Sequence, residues 1–224
     1  AQSLGGGGGT GGSVYNIQGA ISIGDDGKAF NGGVNLGGKG GTGNSAGNVT
    51  VTNSAKISTG KILNEKVYGN NSYGIYAQSV GGGGGAGGNV LNIQASNGAN
   101  LAVSLGGEGG EGGVAKNVTV TNTGAITTLG GQSSAIFAQS LGGKGGSGGQ
   151  SVSVQLAANK GQAISAGASV GGNGGSGANA GDVSVTNSAP LSTVGDFSYG
   201  IFAQSVGGGG LSLIHISEPT RPSQ

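Results

Sequence analysis

The sequence predicts an all-β chain organised as a repetitive β-solenoid, a β-helix with a repeat of about 65 residues. Three observations predict it: phrases that recur in fixed order, short segments alternating with period two, and glycine at 58 of 224 positions. No long stripe of apolar residues at helical spacing interrupts this pattern.

The first phrase is "AQS". It opens "AQSLGGGGGTGG" at Ala1, "AQSVGGGGGAGG" at Ala77, "AQSLGGKGGSGG" at Ala138 and "AQSVGGGG" at Ala203, at intervals of 76, 61 and 65 residues. A second phrase lies between these: "NVTVTNSAKIST" from Asn48, "NVTVTNTGAITT" from Asn117 and "DVSVTNSAPLST" from Asp182. A third is glycine-rich again, "NLGGKGGTG" from Asn35, "SLGGEGGEG" from Ser104 and "SVGGNGGSG" from Ser169. Each unit therefore carries several strand-like segments. Roughly three coils of about 20 residues would fill it.

Alternation then assigns the faces. In the second phrase Val49/Val51, Val118/Val120 and Val183/Val185 share one face, with Thr and Ser on the other. Ile57, Ile126 and Leu191 follow in step, and Ile75, Ile136 and Ile201 precede "AQS". After the first glycine run, Tyr15/Ile17, Leu91/Ile93 and Val152/Val154 likewise share a face. A single coil has too few apolar side chains to be stable alone, so neighbouring coils are expected to cover these faces. Tyr76, Phe137 and Phe202, beside "AQS", are expected to pack against the next coil.

The glycine runs are harder to place. Ordering an eight-residue run costs on the order of 10 kcal/mol, since glycine loses the most backbone freedom. Three or four buried aliphatics return about 5–10 kcal/mol per coil. The runs are therefore expected to leave the strand stack as loose glycine-rich loops along one edge.

Composition narrows function. A net charge of +1 gives no field to gather nucleic acid, and the absence of Cys excludes a disulfide framework or thiolate metal site. No apolar run reaches the roughly 18–20 residues of a membrane helix. The internal copies test candidate chemistry directly. Lys39, Glu108 and Asn173 fill one slot, and Thr42, Glu111 and Ser176 the next, so both slots read as solvated surface. Lys144 aligns with Gly7 and Gly83, and its following Gly breaks the phosphate-loop pattern. Asp25–Asp26 resembles a calcium-binding Gly/Asp turn but occurs once, so a polar turn is the expectation. Glycosidase or lyase chemistry needs paired carboxylates. The body's seven acids, Asp25, Asp26, Glu65, Glu108, Glu111, Asp182 and Asp196, do not recur. Hence no catalytic, cofactor-binding or metal site is expected, and no cofactor. The "TVT" of Thr50–Thr52 and Thr119–Thr121 would form an ice-binding array only with a pair on every coil. With three coils per repeat it would fall on one in three, and in the last copy it reads Ser184–Thr186. Ordinary outward residues are the expectation there.

Residues 211–224 break every local rule: they hold no Gly, and they contain the chain's His215 and Arg221. Leu211–Arg221 resembles the translation of a transposase-type sequencing-library adapter, so 211–224 is expected to be a foreign tail and His215 no catalytic base. Residues 1–210, starting in mid-motif, are expected to be a fragment of a longer repetitive protein.

The phrases "SYGIYAQSVGGGGGAGG" (72–88) and "SYGIFAQSVGGGG" (198–210), alternating with "NVTVTNSAKIST", resemble the glycine-rich passenger repeats of large Gram-negative autotransporters. The resemblance spans residues 1–210. It implies a non-catalytic β-helical passenger, exported by type V secretion and tethered to the outer membrane by a C-terminal β-barrel beyond this sequence. It would act as an adhesin or surface scaffold whose partners are host or neighbouring-cell surface molecules or glycans. Two other classes stay open on the residues alone. One is a carbohydrate-active β-helix with its site elsewhere, and the other is a glycine-rich cell-wall or matrix protein.

Overall fold

The computed structural model of the chain describes residues 1–22, 29–157 and 164–210. Among these residues the regular structure is entirely β. In chain order the strands are β1 (Gln2–Leu4), β2 (Val14–Ala20), β3 (Phe30–Leu36), β4 (Val49–Asn53), β5 (Ile57–Thr59), β6 (Lys61–Leu63) and β7 (Lys66–Tyr68) in the first repeat. The second contains β8 (Ile75–Val80), β9 (Val90–Ser96), β10 (Ala99–Leu105), β11 (Val118–Asn122) and β12 (Ile126–Leu129). The third contains β13 (Ile136–Leu141), β14 (Ser151–Ala157), β15 (Ser165–Val170), β16 (Val183–Asn187) and β17 (Leu191–Val194), and β18 (Ile201–Val206) opens a fourth.

Apart from β6 and β7, each strand pairs in parallel with its counterpart one full repeat away. The sheets are β1-β8-β13-β18, β14-β9-β2, β15-β10-β3, β16-β11-β4 and β17-β12-β5. Identical phrases lie in identical register: Val118 sits between Val49 and Val183, Ile136 between Ile75 and Ile201, and Gln78 beside Gln2. One repeat is thus one long rung contributing a strand to five sheets. The expectation of three 20-residue coils per repeat is wrong, because pairing runs 61 to 76 residues along the chain rather than about 20. The longest interval contains an added antiparallel hairpin, β6–β7, whose Asn64–Glu65 turn has φ of 49° and 63° at its centre. Two positive φ values suit a two-residue hairpin, and the insertion leaves the register around it intact.

The glycine runs are not loose loops. They are the most regularly bonded part of the rung. In residues 81–88, the amides of Gly81, Gly84 and Gly87 donate to Leu141, Lys144 and Ser147 in the rung above, at 2.8–2.9 Å. Those of Gly82, Gly85 and Gly88 donate instead to Asn44, Gly41 and Gly38 of the other glycine run, which passes antiparallel. The same weave continues upward, since Gly113, Gly110 and Gly107 donate back to Gly82, Gly85 and Gly88. This three-residue period is that of a polyproline II chain, and as in collagen only glycine fits the crowded positions. At Gly85 a Cβ would collide with the Gly9 carbonyl, and at Gly110 with that of Gly41. Every third position faces out. A Cβ at Gly83 meets its nearest neighbour at 3.8 Å, and at Gly7 at 3.7 Å. The expectation of loose loops failed because it set the ordering cost against side-chain burial alone. Six donated backbone bonds per eight residues, each worth about 1 kcal/mol net, are the omitted return.

The glycine bilayer divides each rung into two ends. At one end β8, β13 and β18 face β4, β11 and β16, and the apolar core lies between them: Val49, Val118, Val120, Ile126, Ile75, Ile136, Ala77 and Ala138. Val118 and Ile136, on strands flanked on both sides within their sheets, are fully buried, while Val183 and Ile201, on the last strand of each sheet, are not. Neighbouring rungs supply the cover, as predicted for these positions. At the other end β9 and β14 face β10 and β15 to form a flat lobe with a different interior.

Candidate functional surface

Small side chains hold each rung in register at the apolar end. The "AQS" phrase has three separate tasks. Its Ala77 and Ala138 are buried where the sheets approach. Its glutamines form an outward ladder, Gln2 donating to Gln78, Gln78 to Gln139 and Gln139 to Gln204, at 3.0, 2.7 and 2.6 Å. Its serines point inward and tie the two layers: Ser140 donates to the Lys116 carbonyl (3.0 Å) and accepts from the Gly181 amide (2.9 Å). The recurring "TN" supplies a second ladder, in which Asn53 donates to Asn122 and Asn122 to Asn187, both at 2.7 Å. Each of these asparagines also bonds the carbonyl two residues on, fixing the turn into the next strand. Sequence reading passed over both ladders; the invariance of Asn53, Asn122 and Asn187 among the copies was the available signal.

Tyr76, Phe137 and Phe202 stack rung on rung, with centroids 4.9 and 4.8 Å apart and planes within 2° and 7° of parallel. They pack on the neighbouring rungs, as expected. Tyr73 leans on Tyr76 and Phe137, and Tyr199 on Phe202. Beside them lies a depression of ≈ 180 Å³, reached by Gln132 and Ser134. Phe137 is stacked on both faces, and Tyr76 and Phe202 on one face each.

The hydroxyl surface differs from expectation in one respect. Because one repeat is one rung, Thr50/Thr52, Thr119/Thr121 and Ser184/Thr186 stack directly, a pair on every rung rather than one in three. They project outward and line that sheet with hydroxyls. Along the glycine layer, Lys39, Glu108 and Asn173 are exposed, as are Thr42, Glu111 and Ser176. Lys39 and Glu108 make an ion pair of 3.3 Å whose side chains are both mostly solvated, an arrangement worth at most about 1 kcal/mol. Lys144 is exposed as well. Among the described acids no group of three or more metal-ligating side chains assembles. Asp25, Asp26 and His215 lie outside the described residues.

The lobe inverts the usual arrangement. Tyr15/Ile17, Leu91/Ile93 and Val152/Val154 share a face as predicted, but it is the outer one; Ile17 is 75% exposed. Between the sheets lie Asn16, Asn92 and Ser153, Gln18 and Gln94, and opposite them Asn31, Asn35, Asn100 and Ser104. Asn92, Gln94 and Ser104 are fully buried. One amide–amide hydrogen bond crosses this interior, Asn16 Nδ2 to Asn35 Oδ1 at 3.0 Å, and two join neighbouring rungs within a sheet, Gln94 Nε2 to Gln18 Oε1 at 3.0 Å and Asn31 Nδ2 to Asn100 Oδ1 at 3.2 Å. Satisfaction is incomplete. Asn35 Nδ2, Asn92 Oδ1, Gln94 Oε1 and Ser104 Oγ, all in this lobe, make no bond to protein. On the second sheet Leu101, Val103 and Leu105 point outward, beside Val34 and Leu36.

Comparison with known protein families, curated proteins and solved structures gives no match for this chain.

Proposed function

We propose that the chain is the β-solenoid shaft of an autotransporter passenger, a non-catalytic rod displayed at the cell surface that works as an adhesin or scaffold. The supporting observation is the register. Phrases separated by 61 to 76 residues pair residue for residue, so insertions such as the β6–β7 hairpin are expelled sideways and the stack is undisturbed. A shaft of this kind lengthens by adding repeats and presents each outward slot as a ladder. Contacts too weak alone then act together through avidity. The glycine layer suits export through a narrow pore, because two thirds of its positions carry no side chain and its order comes from backbone bonds remade on the far side. Partners are host or neighbouring-cell surface molecules or glycans, and the tether is a β-barrel encoded beyond this sequence.

The test is to express the unbroken gene in a Gram-negative host and treat intact cells with external protease. The proposal expects loss of antibody signal raised against the 81–149 region, with a membrane-protected C-terminal remnant. Signal that survives until the cells are lysed would overturn it.

A further inference from the structure

We infer that the two outer faces of the lobe are docking surfaces for a second copy of this chain. The outward positions of β2, β9 and β14 include Tyr15, Ile17, Leu91, Ile93, Val152 and Val154, with Leu156, Gly and Ala at the rest. Those of β3, β10 and β15 are Phe30, Val34, Leu36, Leu101, Val103, Leu105 and Val170, again with Gly and Ala. Neither set holds a charged side chain, and the Tyr15 hydroxyl is the sole polar group. The contrast within the molecule is sharp, because the corresponding outer positions of β4, β11 and β16 are all Thr or Ser.

An all-parallel sheet is ordinarily covered on both faces. Here the inner face is amide-filled and returns little hydrophobic stabilisation, so the apolar area that must leave water is on the outside. The occupant follows from having two such faces. A bilayer touched flatwise would cover one and leave the other wet. Copies of this chain stacked in series cover both faces of every copy but the two at the ends. Their rungs have the same spacing of about 4.8 Å, so the two outer faces interdigitate row by row at the roughly 10 Å of packed sheets. Each copy added still presents a free face.

Area sets the strength. Full burial of an aliphatic side chain removes about 60–120 Å² from water, so three rungs offer on the order of 500 Å² per face. A face-to-face pair would bury about 1,000 Å², at the lower edge of stable interfaces. Association of the 224-residue chain is therefore reversible and concentration-dependent, and it tightens as repeats are added.

Sedimentation velocity over a wide concentration range tests this. The wild-type chain is expected to associate reversibly. Ile93→Lys combined with Val103→Lys, one on each face of the middle rung, should weaken association at least about tenfold with an unchanged far-ultraviolet circular dichroism spectrum. Thr119→Lys on the hydroxyl surface should leave it intact. If the double variant fails to fold, single cysteines decide, because the chain has no other. Ile93→Cys should give a bismaleimide-linked dimer and Thr119→Cys should not. A monomeric wild type, equal association of all variants, equal cross-linking at both cysteines, or flotation with phosphatidylcholine vesicles in place of self-association would each overturn the inference.

Discussion

The two ends of the rung use the same alternating pattern to opposite effect. At one end Val118, Val120 and Ile136 are buried and Thr119 and Thr121 face water; at the other Asn92 and Gln94 are buried and Leu91 and Ile93 face out. Between them the glycine bilayer holds two backbones at hydrogen-bonding distance, where neither kind of side chain fits. Period-two alternation identifies a strand, and the packing around it decides which face is covered. What separates the ends is how an inward residue is satisfied. Aliphatics need only cover from the rungs above and below, whereas amides need partners at defined angles, and four buried atoms of the lobe have none.

The largest expected effect falls on the junction. Gly85→Ala forces a methyl into the Gly9 carbonyl, and Gly110→Ala into that of Gly41. Each should abolish the cooperative thermal transition of the three-rung chain, followed by circular dichroism. Gly83→Ala, two residues from Gly85 and open to solvent, should melt at or slightly above the wild-type temperature, because it restricts the unfolded chain. Equal damage from both would show that the three-residue period has no structural meaning.

Next in size is the contrast between ends. Ile136→Ala, in the fully buried middle of the apolar core, should cost about 2–5 kcal/mol in urea denaturation. Ile93→Ala, on the outer face of the lobe, should cost less than about 1 kcal/mol at concentrations low enough to keep the chain monomeric. A larger cost at Ile93 than at Ile136 would reverse the assignment of inside and outside.

The smallest effects distinguish two buried serines. Ser140→Ala removes a hydroxyl that bonds both Lys116 and Gly181, and should cost about 1–3 kcal/mol. Ser104→Ala removes a buried hydroxyl without a partner, and should be neutral or stabilising by up to about 1 kcal/mol. Matching losses at both would place an unseen partner on Ser104.

Sequence made the strands legible and left their depth obscure. Val49, Val118 and Val183 recur with Thr at their sides, which is enough to predict both strand and inner face. Leu91 and Ile93 recur just as well, but the deciding residues were Asn92 and Gln94, which alternate with them. Their amides bond neighbouring rungs, Asn92 to Ser153 and Gln94 to Gln18, and such pairing is invisible until the partner strand is placed. The rung length was missed for a related reason. Twenty-residue coils are the familiar way to close a small circuit, whereas a 65-residue rung needs a thin middle, and glycine supplies it by letting two backbones touch. The spacing of Lys39 to Thr42 and of Glu108 to Glu111, three residues each, already carried that period. The ladders of Gln78 and Asn122 were legible as invariant polar residues among copies that vary elsewhere.

Native-state hydrogen exchange of the glycine amides in residues 81–88 tests the ordered bilayer most directly. Gly81, Gly82, Gly84, Gly85, Gly87 and Gly88 each donate to a backbone carbonyl distant in sequence and should exchange slowly. Gly83 and Ala86, whose amides donate to no backbone carbonyl among the described residues, should exchange quickly. Protection that drops out at every third residue is the predicted result. Uniformly fast exchange across 81–88, with β8 and β9 still protected, would contradict it.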